Sequence, residues 1–374
     1  MRRLPVRRAA SAFTACVLLA TATSSAQTGT AIEGTGAELY GKACVACHGR
    51  DGKTVSRAAV AHTDRIPDFT DCRFAQREAD ADWFSIIHEG GPARAFAQMM
   101  PAFRDALTDE QMQSTLDHIR TFCEDRAWPR GDLNFPKALV TEKAFPEDEV
   151  LITTTVPTES ASSINTKLVY EKRFGSRTQI ELILPMKAHD SAGSRGSGWV
   201  GGVGDLAFAV KRVLAHNLQR GHIVSATAEV VTPTGSEARG LGGGTGVFEP
   251  FLLYGQILPA DAFLQVQSGV GVPWKSGVAK EAFWRATVGR SFNPRAFSRT
   301  WSPMVEILGA RELLRGEPML WDVLPQMQVT LSTRQHIRIN GGVRVPINHA
   351  ATRSTQVLTY FLWDWYDGPL LGGW

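Results

Sequence analysis

Two cysteines and a histidine stand close together in the stretch Cys-Val-Ala-Cys-His, residues 44 to 48. In an exported protein the spacing C-x-x-C-H is the signature of c-type haem attachment. Both thiols must reach the vinyl groups at one edge of a porphyrin, and the adjacent histidine then falls beneath the iron. The pattern therefore predicts that Cys44, Cys47 and His48 hold one covalent haem c.

Two other kinds of site also use paired cysteines. A structural zinc site would need further cysteine or histidine ligands at matching spacing, and the sequence contains no second C-x-x-C. A thioredoxin-like redox motif would need a strand-helix-strand setting, which the flanking residues do not provide. The haem interpretation is therefore the one that the sequence favours.

The second axial ligand of the iron is expected on a loop before the last helix of the domain, as a soft sulfur or a second imidazole. The stretch Met-Met-Pro-Ala-Phe, residues 99 to 103, is the candidate loop. Pro101 biases Met100 away from helical geometry, so the thioether of Met100 can turn toward the iron from an extended segment. Met99 and His88 are the alternatives.

The elements that would hold these ligands are two amphipathic helices. Thr35 with Glu38, and Thr108 with Gln111, have the spacing of a capping box, which marks the start of a helix in each case. The first helix carries the cysteines and is expected to end at Gly49. The apolar residues of the second helix share one face: Met112, Leu116, Ile119 and Phe122.

Residues 35 to 125 resemble a class I c-type cytochrome, in which a Met-Pro-Ala-Phe element matches the loop that carries the distal ligand. The resemblance implies Cys44 and Cys47 as thioether anchors, His48 as the proximal ligand and Met100 as the distal ligand. Histidine and methionine together fill both axial positions and raise the reduction potential, which favours one-electron transfer over oxidase or peroxidase chemistry. Since no acid-base or nucleophilic constellation is visible elsewhere, an electron-transfer protein is favoured over an enzyme with its own substrate site.

Cys72 and Cys123 are the two cysteines left over in the mature chain. In an oxidising compartment such a pair predicts a disulfide, here between the middle of the domain and the end of its last helix.

The N-terminus has the layout of a secretory signal. Two arginine pairs precede an apolar run, and small residues suited to cleavage follow, which predicts a signal peptide over residues 1 to 26. A lipoprotein cut before Cys16 is the alternative. After cleavage no run of about 18 apolar residues remains, so further membrane insertion must use strands. A net charge of +3 gives no reason to expect nucleic acid as a partner.

From about residue 149 the helical periodicity gives way to short runs that alternate apolar and polar residues. Ile180 and Leu182 oppose Gln179 and Glu181, and the same alternation recurs along the rest of the chain. Charged residues fall on the polar faces in mid-strand, which suits a wet lumen better than a thin sandwich: Glu181, Glu229, Glu306, Arg338 and Arg344. Aromatic residues crowd the end of the last strand like an interfacial girdle: Tyr360, Phe361, Trp363, Trp365 and Tyr366.

About twelve such segments can be counted, with tight turns alternating with long polar loops, as in an outer-membrane β-barrel. The predicted strands are 149–157, 163–174, 177–187, 199–214, 221–232, 246–258, 261–273, 280–292, 299–312, 319–332, 335–347 and 355–366. The stretch GVGDLAFAVKRVL, followed by VVTPTGS and a glycine-rich run, resembles the outer-membrane channel family named for phenol-degradation pathways. The resemblance covers about residues 149 to 374, and a soluble all-β domain is the alternative.

These patterns predict a multidomain protein, a small all-α cytochrome c domain followed by an all-β antiparallel barrel. The expected segments are a signal peptide at 1–26, the cytochrome c domain at 27–123, a linker at 124–148 and the transmembrane barrel at 149–374. A haem domain of about 90 residues is too large for such a lumen, so it should sit at a mouth, on the periplasmic side. The expected partners are outer-membrane lipid and a periplasmic or extracellular redox protein or reductant.

Two functions from different classes are compatible with this architecture. In the first, the barrel anchors an electron carrier in the outer membrane, although one haem cannot by itself span an apolar band of about 25 Å. In the second, the barrel is a channel for small solutes, and the haem domain senses redox state or gates it.

Overall fold

A computed structural model of the chain describes residues 33–55, 66–96, 98–123, 125–158, 163–190, 198–293 and 299–364. The predicted signal peptide, Trp365 and Tyr366 lie outside the described residues. Helices occupy the first part of the described chain and strands occupy the part after residue 148. None of the described helices is both long and apolar enough to cross a membrane.

The N-terminal domain is built from short helices around one apolar core. The described helices are α1 (Gly36–Ala43), α2 (Val45–His48), α3 (Cys72–Ala75), α4 (Asp80–Glu89) and α5 (Asp109–Arg120). Both predicted capping boxes are confirmed, with Thr35 and Glu38 at the start of α1 and Thr108 and Gln111 at the start of α5.

The apolar face predicted for the second helix packs into the core of this domain. Met112, Leu116 and Ile119 of α5 are buried there, against Leu39 and Tyr40 of α1. The first and last helices of the domain are therefore in contact, as the sequence predicts.

The second part of the chain is a closed antiparallel barrel. Its strands are β1 (Glu149–Pro157), β2 (Ser163–Phe174), β3 (Thr178–Asp190), β4 (Trp199–Val203), β5 (Ala207–Asn217), β6 (His222–Val231), β7 (Val247–Leu258), β8 (Ala262–Pro273), β9 (Glu281–Arg290), β10 (Trp301–Glu312), β11 (Leu320–Thr330), β12 (Ile337–Pro346) and β13 (Gln356–Asp364). Neighbours in sequence pair with each other, and β1 pairs with β13 to close the ring.

The prediction of twelve barrel positions is confirmed. The predicted strand 199–214 is divided into β4 and β5, which pair with successive stretches of the same neighbour, β3. Together they occupy one position in the ring, so the thirteen strands make a twelve-stranded barrel.

The strands turn their apolar residues outward and their polar residues inward. Gln179 and Glu181 of β3 are almost fully buried, whereas Ile180 and Leu182 between them are 43% and 42% exposed. Along β3 the barrel is therefore apolar outside and polar inside, and other strands repeat the pattern. Further outward apolar side chains are Ile164, Phe208, Val210, Leu252, Val288, Val305, Ile339, Val343 and Phe361.

Tyr360 does not belong to the predicted aromatic girdle. It is 3% exposed and points into the lumen, where its hydroxyl donates to the carbonyl of Lys137 at 2.7 Å. Since successive side chains of a strand face opposite sides, its neighbour Phe361 is the residue that faces outward.

The lumen is filled by the chain itself. The sequence predicts a linker at residues 124–148, but the structure places residues 133–148, which we call the plug, among the inward side chains of the barrel. The plug buries Leu133, Phe135 and Phe145 in one apolar cluster with inward residues of the wall. The ring of Phe135 stacks on Phe263 with centroids 5.5 Å apart. At Gly255 of β7 a side chain would collide with the Phe135 ring, since an added Cβ would lie 2.6 Å from it.

The backbone of the plug is held by polar side chains of the wall. Glu306 accepts hydrogen bonds from the backbone N–H groups of Val140 and Thr141, at 3.1 and 2.7 Å, and from the Thr141 hydroxyl at 2.6 Å. Gln326 accepts from the N–H of Leu139 at 2.9 Å. An extended segment without a sheet partner must satisfy its buried amides in this way, because each unpaired group would cost about 1–3 kcal/mol. Polar side chains of the wall therefore accept the hydrogen bonds that the plug donates here.

The segment directly before the plug, residues 130–132, is held against the helical domain by hydrogen bonds and an ion pair. Both domains belong to one compact unit, Ile32–Trp374. Gly131 donates its N–H to the carbonyl of Gln76 at 2.7 Å, and Asp132 accepts from the N–H of Asp80 at 3.0 Å. Arg130 also pairs with Asp80. The junction is therefore an ordered contact.

The helical domain and the segment directly after it also contact the end of the barrel where the short turns lie. Arg77 forms an ion pair at 2.5 Å with Asp148, next to the start of β1. Arg177, in the turn between β2 and β3, donates to the carbonyl of Ala127 at 3.0 Å. Arg334, in the turn between β11 and β12, donates to the carbonyl of Ala95 at 3.0 Å. The domain therefore lies at the mouth formed by these turns.

Candidate haem site

The Cys-Val-Ala-Cys-His motif lies at a break between two helices. Helix α1 ends at Ala43, Cys44 caps it, and the short helix α2 carries Cys47 and His48. Both thiols are unpaired and only half-buried. Burial raises the pKa of Cys44 to about 11, so this sulfur is a neutral thiol at physiological pH. Two accessible thiols on one short turn suit attachment to neighbouring positions on a porphyrin edge.

The side chain of His48 is a neutral imidazole at physiological pH. Its ring stacks on Phe69 with centroids 4.7 Å apart and an interplanar angle of 20°. Burial lowers the pKa of His48 to about 4, so the ring is uncharged at physiological pH. The neutral form is the one that binds metals. One ring nitrogen, Nδ1, is buried and has no hydrogen-bond partner. A partly buried, neutral imidazole of this kind fits a ligand of haem iron.

The end of the motif is anchored to the domain core by Tyr40. Its hydroxyl donates to the carbonyl of Gly49 at 2.7 Å, directly after His48. The ring packs against His118 and Phe122 near the end of α5. The first and last helices therefore hold the motif in a fixed orientation.

The predicted distal loop folds back onto the end of helix α4. Gly91 donates its N–H to the carbonyl of Met100 at 3.0 Å, and Phe103 donates to the carbonyl of Ile87 at 3.0 Å. Gly90 has a φ of +81°, and an added Cβ there would lie 2.8 Å from the Met100 carbonyl oxygen. The turn thus brings the loop against the helix at a position that only glycine fits without strain.

The surroundings of the three candidate distal ligands differ. Met100 packs against the buried core of the domain, together with Cys44 and Val45 of the motif. Met99 is 52% exposed. The His88 ring lies between two carboxylates, 3.0 Å from Glu89 and 3.8 Å from Asp109. These contacts favour Met100 over both alternatives as the ligand opposite His48.

Aromatic side chains make up much of the core beside the motif. Trp83 lies between Phe69 and Phe74, with ring centroids 5.3 and 5.6 Å away. The guanidinium of Arg120 stands over the Trp83 ring at 4.0 Å. An apolar, aromatic environment suits a porphyrin ring and limits water near the iron, which raises the reduction potential.

The predicted disulfide between Cys72 and Cys123 is present, with Cα atoms 5.4 Å apart. It ties helix α3 to the end of α5. The amide of Gln76 donates to the backbone carbonyl of Cys123 at 3.2 Å and reinforces the same junction. The protein therefore uses its cysteines in two ways, one pair bridged and one pair unpaired in the motif.

Replacing both Cys72 and Cys123 by serine is expected to lower the free energy of unfolding by about 4 kcal/mol, because the bridge closes a loop with a sequence separation of 51 residues. Thermal unfolding of the purified protein, followed by haem absorbance, measures the effect. Each single variant should be destabilised as much as the double variant. Equal unfolding midpoints for the wild type and all three variants would contradict a stabilising bridge.

A family of known proteins matches the helical domain. Residues 33–119 match the model of the family described as cytochrome c oxidase, cbb3-type, subunit III. The helical domain is therefore a c-type cytochrome domain, and a domain of this class implies covalently bound haem. The match covers the cytochrome domain and none of the barrel. No similar sequence was found among the curated proteins.

Outer-membrane proteins are among the solved structures to which this chain is distantly similar. An outer membrane channel from Pseudomonas putida F1 is 10% identical, with a TM-score of 0.42, and the match covers 61% of this chain and 99% of that one. The NanC porin is 9% identical with a TM-score of 0.39, covering 57% and 98%. The KdgM porin is 8% identical with a TM-score of 0.36, covering 58% and 98%. These likenesses are too distant to bear on function.

Proposed function

We propose that this protein is an exported monohaem c-type cytochrome that carries single electrons and is held in the outer membrane by its C-terminal barrel. The observation that carries the proposal is the joining, in one chain, of a c-type cytochrome domain and a closed barrel with an apolar outer surface. The first part supplies the redox chemistry and the second supplies the anchor.

In this proposal four residues hold the haem. Cys44 and Cys47 form the two thioether bonds, His48 is the proximal ligand and Met100 the distal ligand. The unpaired thiols, the neutral, partly buried imidazole and the packing of Met100 against the core support these roles. The haem supplies a one-electron couple, and a site with both axial positions filled leaves no place for oxygen or substrate. The protein's own residues position the group and exclude water from it.

Insertion into a membrane is supported by the faces of the strands. A soluble barrel buries apolar residues inside and exposes polar ones, whereas here Ile180, Leu182 and their counterparts face outward. A continuous apolar outer surface would be costly in water and is what a lipid bilayer solvates. For an exported chain with strands of this kind, the outer membrane is the location that fits.

The orientation follows from the turns. Both ends of the barrel sheet and its short turns lie at the mouth that the cytochrome domain contacts. Outer-membrane barrels place their short turns on the periplasmic side. We therefore place the cytochrome domain in the periplasm, where soluble redox proteins can reach it.

The plug favours an anchor over a solute channel. In the second candidate function the lumen would have to admit small solutes, but the inward side chains of β10 and β11 bind the plug backbone instead of facing water. Charged wall residues that would select solutes in an open pore, such as Glu306, are buried against the plug. The channel function would therefore require the plug to move.

Membrane fractionation with haem staining tests the proposal. The mature protein is expected in the outer-membrane fraction, with a haem signal that survives acid-acetone extraction because the group is covalently bound. Addition of ferrous iron or a reduced periplasmic cytochrome should change its visible absorbance. A soluble haem-positive product would contradict the membrane anchor and leave the cytochrome, whereas a membrane-bound product without covalent haem would contradict the carrier.

A further inference from the structure

The barrel contacts the loop that carries Met100 through Arg334. Arg334 donates from its guanidinium to the carbonyl of Ala95 at 3.0 Å, and the same guanidinium stands over the ring of Phe96 at 4.6 Å. Ala95 and Phe96 belong to the loop between Gly90 and Met100. This contact joins the wall of the anchor to the distal side of the haem site.

The turn that presents Arg334 is itself well fixed. It connects β11 to β12, and the hydroxyl of Ser332 accepts hydrogen bonds from the N–H groups of His336 and Ile337, at 2.9 and 3.0 Å. Leu331 donates its N–H to the carbonyl of Ile337 at 2.7 Å. A turn with these internal bonds can hold a side chain at its tip in one place, so Arg334 can act as a fixed support.

Within the loop, two backbone hydrogen bonds connect Phe96, which Arg334 contacts, to Met100. The N–H of Phe96 donates to the carbonyl of Gly91 at 2.9 Å, and the N–H of Gly91 donates to the carbonyl of Met100 at 3.0 Å. Ala95 has a φ of +55°, a left-handed conformation that costs a residue with a side chain about 1 kcal/mol or more. The loop therefore holds a strained residue at the place where Arg334 binds it.

We infer that Arg334 is a positioning residue for the distal haem ligand, by which the barrel holds the Met100 loop closed. This inference rests on the proposed function, because it concerns the same haem site. When the arginine contact is absent, the loop loses a hydrogen bond and a cation–π contact, and the open form of the loop becomes more populated. The loop would then hold the Met100 sulfur less firmly in the position from which it would bind haem iron.

Competition by added imidazole measures this effect. Imidazole must displace Met100, so its affinity for the ferric protein rises when the loop opens more readily. The variant R334A is expected to bind imidazole about five- to tenfold more tightly than the wild type, from the loss of two weak contacts. Its midpoint reduction potential should also be lower, since methionine ligation favours ferrous iron.

Arg177 provides a matched control. Like Arg334 it lies in a short turn of the barrel and donates to a backbone carbonyl of the N-terminal part, but its acceptor is Ala127, which lies outside the distal loop. R177A should leave the imidazole affinity within about twofold of the wild type, because the surface contact that it removes lies outside the distal loop. R334K keeps the positive charge but lacks the planar guanidinium that stands over the Phe96 ring, so its imidazole affinity should fall between those of R334A and the wild type.

The outcomes separate this inference from the proposed function. A protein without covalent haem contradicts the proposed function. A haem protein in which R334A and R177A have the same imidazole affinity and the same midpoint potential as the wild type contradicts only the role of Arg334. Equal shifts in R334A and R177A would also contradict it, since the effect would then come from loosening the domain contact in general.

Discussion

Replacement of both Cys44 and Cys47 by serine is expected to abolish covalent haem attachment completely. A serine hydroxyl does not form the thioether bond, and the two sulfurs on helix α2 and its cap are the only unpaired thiols among the described residues. Haem staining of the denatured protein on a gel measures the result, because only a covalently bound group remains after denaturation. The single variants should each keep some haem through the remaining thioether.

The bridged cysteines serve as the control for this experiment. Replacing Cys72 and Cys123 removes two sulfurs from the same domain but should leave haem attachment intact, since their sulfurs are joined to each other. Replacing Met100 by alanine should likewise leave the covalent bond intact while lowering the midpoint potential, because only the axial ligand is lost. Full haem staining in the double variant at Cys44 and Cys47 would contradict the assignment of the site.

The haem motif could be predicted from the sequence because all of its chemistry is local. Cys44, Cys47 and His48 lie within one short stretch, and the capping boxes at Thr35 and Thr108 fix where the flanking helices begin. The expected distal ligand is harder to assign from the sequence, because Met100 is brought to the core by the turn at Gly90 and not by proximity in sequence. Its alternatives could be compared only when their neighbours were known.

The barrel was also predictable, because apolar and polar residues alternate along each strand with a period of two, and this pattern can be seen in the sequence. The alternation alone could not say which face points outward, and the charged residues in mid-strand were the signal that favoured a polar lumen. In the structure Glu181 and Gln179 face in while Ile180 and Leu182 face out, which is the reverse of a soluble barrel. The face of Tyr360 was likewise not fixed by the sequence. An aromatic residue near the end of a strand can point to either side of the barrel, and the side depends on the register of the strand.

The plug could not be derived from local patterns. Residues 124–148 have three prolines and mixed charge, which are typical of a linker, and the part of this segment that the structure describes, 125–148, forms no strand or long helix. One signal was available: Leu133, Phe135, Leu139 and Phe145 are more apolar than an exposed linker requires. An extended chain inside a lumen draws its hydrogen bonds from distant wall residues, and those partners are visible only in the folded barrel.

Removing the carboxylate of Glu306 is expected to loosen the plug and open the lumen. Glu306 is fully buried on β10 and accepts from the N–H groups of Val140 and Thr141, from the Thr141 hydroxyl and from the amide of Gln326. The variant E306A leaves buried donors unpaired and weakens the seating of the plug by about 3–6 kcal/mol. The buried side chains of Leu133, Phe135 and Phe145, worth about 2 kcal/mol each, still favour the seated form. We therefore expect intermittent opening and not permanent expulsion.

Single-channel recordings in planar bilayers measure this opening. The wild-type protein should be closed, E306A should show brief openings, and E306Q, which keeps one acceptor oxygen, should open less often than E306A. Glu312 lies on the same strand but is exposed at its far end, so E312A is the matched control and should remain closed. Heat-dependent migration on a gel verifies that each barrel is folded. A wild-type protein that conducts steadily, with a conductance that E306A leaves unchanged, would show that solutes pass beside the plug, and the barrel would then be a channel as well as an anchor.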